Sequence, residues 1–155
     1  MMRTVNAIGV LAAATMAIVG TPAAAMVLDA VYRGTLVCDK LPFTETKMRE
    51  AIRVVIVGGA AHYTHVVRLN KIAPEAVPEQ GDGTVTGQDI SLQGSWSGGK
   101  RQYKAAYSGT FVRRTARLKG SQTWSVDGKT ITRACAGAIK RPLKAFLPRQ
   151  RKPPR

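Results

Sequence analysis

The sequence is 155 residues long and carries 24 Lys and Arg against 9 Asp and Glu, a formal net charge of +15. That length bounds the folded part to one small domain, and the charge speaks of anionic partners and solubility rather than of fold. After the first 25 residues no stretch is apolar enough to cross a membrane as a helix.

The chain opens with a short positive stretch, Met1–Arg3, then an Ala-rich apolar run, Asn6–Val19, then Gly20–Ala25, which ends in small residues of the A-x-A kind. This pattern predicts a secretory signal peptide cleaved after Ala25. The apolar run falls short of the roughly 20 residues that span a bilayer. No cysteine lies near the cleavage point to carry a lipid. The expected mature chain, Met26–Arg155, loses only Arg3 and keeps 23 cations against 9 acids, or +14. Two cysteines follow, Cys38 and Cys135. In an oxidising compartment they read as one disulfide. Its loop approaches 100 residues, for which the chain-entropy estimate is about 4–5 kcal/mol.

Val31–Cys38 reads as a strand with Tyr32, Gly34, Leu36 and Cys38 on one face. Asp39–Pro42 breaks it. Thr44–Glu50 has the makings of a helical turn with a Thr cap. However, Met48, Ile52, Val54 and Ile56 share one parity and Lys47, Arg49 and Arg53 the other, so period two and a strand are expected. Gly58-Gly59 then closes a hairpin that sets Val57 against Ala60, Val54 against Tyr63 and Ile52 against His65. Tyr63, His65, Val67 and Leu69 join the inward face. Asn70–Gly83 is predicted to be a loop from Pro74, Pro78, Gly81 and Gly83, with Glu75, Glu79 and Asp82 as a solvated negative patch. Thr84–Thr86 reads as a short strand turning at Gly87–Asp89.

Four more strands follow: Ile90–Trp96, Tyr103–Phe111, Ala116–Trp124 and Ile131–Ile139. Asp127-Gly128 is a type I′ hairpin signal that pairs Trp124 with Ile131, Gln122 with Arg133 and Gly120 with Cys135. A turn centred on Arg113-Arg114 pairs Phe111 with Ala116, Tyr107 with Gly120 and Tyr103 with Trp124. Two arginines make a poor two-residue turn, so a four-residue loop of the same register is expected. Ser97–Gln102, with Gly98-Gly99, returns Trp96 to Tyr103. A slip of one residue in any strand would put Trp96, Trp124 or Tyr107 in water.

About eight short antiparallel strands suit an all-β fold, either a small up-and-down barrel or a β-sandwich. Bridged cysteines need Cα atoms within about 7 Å, and Cys38 and Cys135 lie on the first and last strands. That neighbourhood is what barrel closure demands, so the barrel leads. The expected organisation is a signal peptide at 1–25, a barrel domain at 26–141, and a basic, Pro-rich disordered tail at 142–155.

Little in the sequence suggests catalysis. His62 and His65 point to opposite faces of a strand and cannot share an ion, so no metal or other cofactor is expected. Neither a G-x-S-x-G, an H-E-x-x-H nor a P-loop occurs. Glu50 faces inward as a lone acid near a strand end. Arg133 also faces inward, opposite Gln122. It reads either as an anion-recognising group beside Trp124, Tyr103 and Trp96, or as a structural arginine paired with Glu50 or a backbone carbonyl. Outside, Lys104, Arg113, Arg114, Arg117 and Lys119 cluster on two strands and their turn. Lys140, Arg141, Lys144, Arg149, Arg151, Lys152 and Arg155 extend the charge into the tail. Aromatic residues are not interleaved with these cations, so base stacking, and with it specific nucleic-acid binding, is not expected. Anionic envelope polymers or lipid head groups are the expected targets.

The stretch from Tyr32–Cys38, with Leu41-Pro42 after the first cysteine, to Arg133–Cys135 resembles small exported bacterial β-proteins of unassigned function. The ladder is similar in outline to lipocalin- and avidin-type barrels, by analogy of fold alone. Three roles are weighed against an enzyme, which is not expected. The first is an exported protein that binds an anionic envelope component through its basic face and tail. The second is a carrier holding a small ligand near Arg133, Gln122, Trp124, Tyr103 and Trp96. The third is an inhibitor of an acidic secreted enzyme.

Overall fold

A computed structural model describes residues 28–69, 73–98 and 100–142, apart from the side chains of 68, 69 and 73–77. The predicted signal peptide, the predicted tail beyond Pro142, the face of Leu69 and the predicted solvation of Glu75 lie outside the described residues.

Eight strands follow one another: β1 Ala30–Cys38, β2 Met48–Val57, β3 Ala60–Leu69, β4 Ala73–Thr86, β5 Asp89–Gly98, β6 Arg101–Val112, β7 Thr115–Val126 and β8 Lys129–Lys140. Each pairs antiparallel with the next, and β8 pairs back onto β1 to close a barrel. Closure removes the sandwich alternative. Cys38 stands in register with Cys135 across the β1–β8 seam, and the two are bonded. Every register derived from the Gly58-Gly59 and Asp127-Gly128 turns is present. The alternation is as regular as the sequence suggests. In β6, Tyr103, Ala105, Tyr107 and Phe111 are buried while Gln102, Lys104, Ala106 and Ser108 are exposed. An eight-stranded barrel leaves an interior just wide enough for side chains to fill.

Two expectations fail. Arg113-Arg114 is a two-residue turn, with Val112 paired to Thr115. It closes because Arg113 takes φ 58°, a left-handed conformation that costs an L-residue about 1–2 kcal/mol. The second failure is larger. From Ala73 onward the expected loop is a strand, since β4 runs from Ala73 and pairs with β3 on one side and, from Gln80, with β5 on the other, while residues 70–72 lie outside the described residues. Pro78 is tolerated because it precedes the β5 ladder, so its missing N–H removes no sheet bond there. The inward positions of β4 read Glu79, Gly81, Gly83 and Val85, a set with almost no apolar signature. Gly81 and Gly94 are small for a reason: a Cβ on Gly94 would lie within van der Waals overlap of the Tyr63 hydroxyl, and one on Gly81 would overlap the Tyr63 ring.

The barrel is stoppered at both ends. At one, Leu28 is buried and its carbonyl accepts the Tyr32 hydroxyl at 3.0 Å. At the other, the β1–β2 connection folds inward. Leu41 is buried, the Thr44 hydroxyl oxygen accepts the Leu41 N–H at 2.8 Å, and Phe43 packs edge-on against Trp124. No helical turn forms at Thr44–Glu50, and β2 begins at Met48.

Candidate functional site

The densest chemistry is inside. Glu79, predicted to be solvated, is fully buried. Its Oε1 accepts the Tyr63 hydroxyl at 2.5 Å. Its Oε2 accepts the Tyr103 hydroxyl at 2.5 Å, His65 Nδ1 at 3.0 Å, Gln122 Nε2 at 3.2 Å and the Tyr107 hydroxyl at 3.3 Å. The donors come from β3, β6 and β7, and His65 is the cross-strand neighbour of Glu79. Burial alone would push the Glu79 carboxyl up. The hydrogen bonds from His65, Tyr103 and Tyr63 outweigh it and hold the group below the usual carboxylate range. Burial first, and Glu79 second, push the hydroxyls of Tyr63, Tyr103 and Tyr107 far above the ordinary tyrosine range. The arrangement encloses one carboxylate among five side-chain donors.

Gln122 carries the network to the buried cation. Its Nε2 donates to Glu79 and to the Tyr107 hydroxyl at 2.9 Å, and its Oε1 accepts from Arg133 Nε at 2.8 Å and Nη2 at 2.5 Å. Arg133 also donates to the Asp39 carbonyl at 3.3 Å and lies 5.1 Å from the centre of the Trp124 ring. Burial lowers its pKa, against the pull of Tyr103, Tyr107 and Glu79. Of the two partners expected for Arg133, the backbone carbonyl is present, and Gln122 stands in place of Glu50. His65 is interior as predicted but only half satisfied, because its Nε2 has no partner among the described residues. His62 is outside, with Nδ1 2.9 Å from Asp82 Oδ1.

The five residues expected to line a ligand site do come together. Trp96, Tyr103 and Trp124 form one cluster, with ring centroids 4.5–5.7 Å apart, and Gln122 and Arg133 adjoin it. All are buried against one another. The missed partner is Glu79. Its signal was its parity with Gly81, Gly83 and Val85, which the two prolines masked.

The outer cations separate into two regions. Lys104 pairs with Thr123, six residues along β7 from Arg117, which is about 20 Å. It lies in an outer groove of about 640 Å³ whose other lining includes Gln80, Ser95, Ser97, Gln102 and Ser125. The rest form a band over β7, β8, β1 and β2. Arg113 and Arg114 occupy the turn, and the Arg141 N–H donates to the Arg114 carbonyl at 2.9 Å. Arg117 and Lys119 face out on β7 and Lys140 on β8. Arg33, Arg49 and Arg53 complete the band on β1 and β2, and Lys140, Arg33 and Arg53 stand side by side on successive strands. No acid occupies an outward position on these four strands. Arg149, Arg151 and Lys152, together with Lys144 and Arg155, lie outside the described residues.

No protein-family model matches the chain, and no curated protein sequence matches it. Among solved structures the chain is similar to apo shwanavidin in its P1 form, with a TM-score of 0.43 and 13% identity, over 68% of this chain and 93% of that one. The likeness to avidin-type barrels is thus one of general outline. What the barrel binds has to be argued from its own side chains.

Proposed function

We propose that this protein is an exported binding protein, not an enzyme, that holds an anionic polymer of the cell envelope along the band on β7, β8, β1 and β2. The observation that carries the reading is the row Lys140, Arg33 and Arg53. Like charges directly opposite on neighbouring strands destabilise a sheet. Among the described residues no carboxylate pairs with any of the three. Departures from local consistency of this kind mark functional positions. The band runs from the Lys119–Ala136–Val37–Arg49 row to the Arg113-Arg114 turn, about 20 Å along the strands, which fits an extended chain of phosphates. The predicted leader, the disulfide and the basic tail 142–155 support export and extend the same charge.

The test is binding of inorganic polyphosphate by the mature chain, measured by calorimetry across a salt series. Affinity should fall steeply as salt shortens the screening length from about 10 Å at 0.1 M to about 3 Å at 1 M. It should fall again in the Arg33→Glu, Arg53→Glu chain and on removal of residues 142–155. Salt-independent binding, or equal binding by the charge-reversed chain, would sink the proposal. Binding to phosphatidylglycerol vesicles but not to polyphosphate would transfer the band to lipid head groups.

A further inference from the structure

The mouth of the barrel beside the β1–β2 connection contains three buried donors without a partner among the described residues: Trp96 Nε1, Trp124 Nε1 and Arg101 Nη1. The contrast with the adjoining network is sharp, because there a single carboxylate collects five hydrogen bonds. A buried N–H without an acceptor loses its bond to water and gets nothing back. Three such groups at one place call for an explanation.

The three lie around one slot. Trp96 and Trp124 are 5.7 Å apart, and Tyr103 packs against both. Trp96 is at the rim, since a Cβ on Gly98, the last residue of β5, would meet the outer edge of its indole. Phe43 stands edge-on to Trp124 at 5.8 Å, and the Arg101 guanidinium lies 4.3 Å from the centre of the Phe43 ring. Arg133 approaches Trp124 as the second cation. The slot therefore has aromatic walls, two guanidinium groups and donors seeking an acceptor, and it is filled by a phenyl ring that brings none. Phe43 belongs to a connection rather than a strand and is only half-buried. Its departure breaks no sheet hydrogen bond.

We propose that this mouth is a binding site for a small planar carboxylate, kept shut by the chain's own Phe43. The ring of the ligand replaces that of Phe43 against Trp124. Its carboxylate accepts hydrogen bonds from Arg101 and the indole N–H groups. A neutral amide of the same shape lacks the charge that the two guanidinium groups select. This site is on the opposite side of the wall from the polyanion band and uses none of its residues.

Calorimetry and tryptophan fluorescence of the full chain, titrated with benzoate, indole-3-acetate and neutral benzamide, test this. Either carboxylate should bind with one-to-one stoichiometry and quench tryptophan, and benzamide should bind at least about tenfold more weakly, a difference of one charge-assisted hydrogen bond. Phe43→Ala should bind the carboxylate about tenfold more tightly, because it removes the competitor. If the alanine variant is poorly folded, Phe43→Leu, which loses the ring packed on Trp124 and Arg101 but still fills part of the slot, should also bind the carboxylate more tightly than the parent, by a smaller factor than Phe43→Ala. Arg101→Gln should weaken the carboxylate by about tenfold and leave polyphosphate binding unchanged. No saturable binding by the Phe43 variants, equal affinity for benzamide, or indifference to Arg101→Gln would overturn the proposal. Loss of polyphosphate binding in Arg33→Glu, Arg53→Glu alone bears only on the outer band.

Discussion

The inner and outer walls of this barrel treat charge in opposite ways. Inside, Glu79 is surrounded by five donors, and Arg133 is tied to it through Gln122. Outside, Lys140, Arg33 and Arg53 are lined up with no acid among the outward residues of their strands. A buried charge left unpaired costs several kcal/mol, so the inner wall had to be completed. An exposed charge left unpaired costs little in water, so the outer wall is free to wait for a partner. The Glu79 network should therefore govern stability and the outer band polyanion binding, and substitutions can break that division.

The largest effect is expected from pH. All four tyrosines of the chain are buried, and burial raises each above its ordinary value, with Glu79 adding to the rise at Tyr63, Tyr103 and Tyr107. A raised folded value means that the folded chain keeps protons the unfolded chain gives up near pH 10. Stability should be whole below about pH 10 and fall as pH rises beyond it. Tyrosinate absorbance should then appear together with loss of the β circular dichroism, in one transition. Tyrosinate forming near pH 10 with the β signal intact would refute the enclosed network. On the acid side the sign reverses. Glu79 is held below the usual carboxylate range, so its contribution is present above the unfolded value of about 4.3 and is lost as pH falls through the lower folded one.

Glu79→Ala isolates the same region at neutral pH. It leaves three tyrosine hydroxyls without their acceptor and Arg133 without its relayed anion, and should cost about 3–5 kcal/mol in denaturant unfolding. Glu79→Gln, which keeps the shape, should cost less. Equal losses for the two would mean that space-filling rather than charge is what matters at this position. Removing the disulfide comes next. The bond spans a sequence separation of 97, and its loss should cost about 2–4 kcal/mol. The β1–β8 ladder from Arg33–Lys140 to Leu36–Gly137 does not depend on it, so the Cys38→Ala, Cys135→Ala chain should keep a native β spectrum with a lower midpoint. A collapsed spectrum would show that the seam needs the bond to form.

The sequence made legible whatever depends on period two and on turn chemistry. Gly58-Gly59 and Asp127-Gly128 set the registers of their hairpins, and the parity of Tyr103, Tyr107, Trp124 and Arg133 placed them inside. Cys38 and Cys135 foretold the seam. β4 was not legible because its inward side is made of absences. Gly81 is small to admit the Tyr63 ring, and Glu79 is polar because side chains from three other strands converge on it. Neither condition exists in the local sequence; both arise only when the barrel closes. Phe43 was missed for a related reason, since a single aromatic in a connection gains meaning only from Trp124 and Arg101. The outer band was half-read. Arg33 and Arg53 are far from Lys140 in sequence and adjoin it only through the seam and the β1–β2 pairing.

The smallest effect is also the most discriminating. Arg33 stands between Lys140 and Arg53, so Arg33→Thr removes two like-charge contacts and installs a residue suited to strands. Each relieved contact is worth about 0.2–1 kcal/mol, and the variant should be slightly more stable than the parent, most clearly at low salt where the repulsion is least screened. The same substitution should weaken polyphosphate binding. A gain in stability with a loss in binding is the signature of charges kept against the interest of the fold. A change in neither would mean that the cations serve solubility alone, and a loss in both would mean that Arg33 has a structural partner. The direction of two small changes in one variant thus separates a binding band from a merely basic surface.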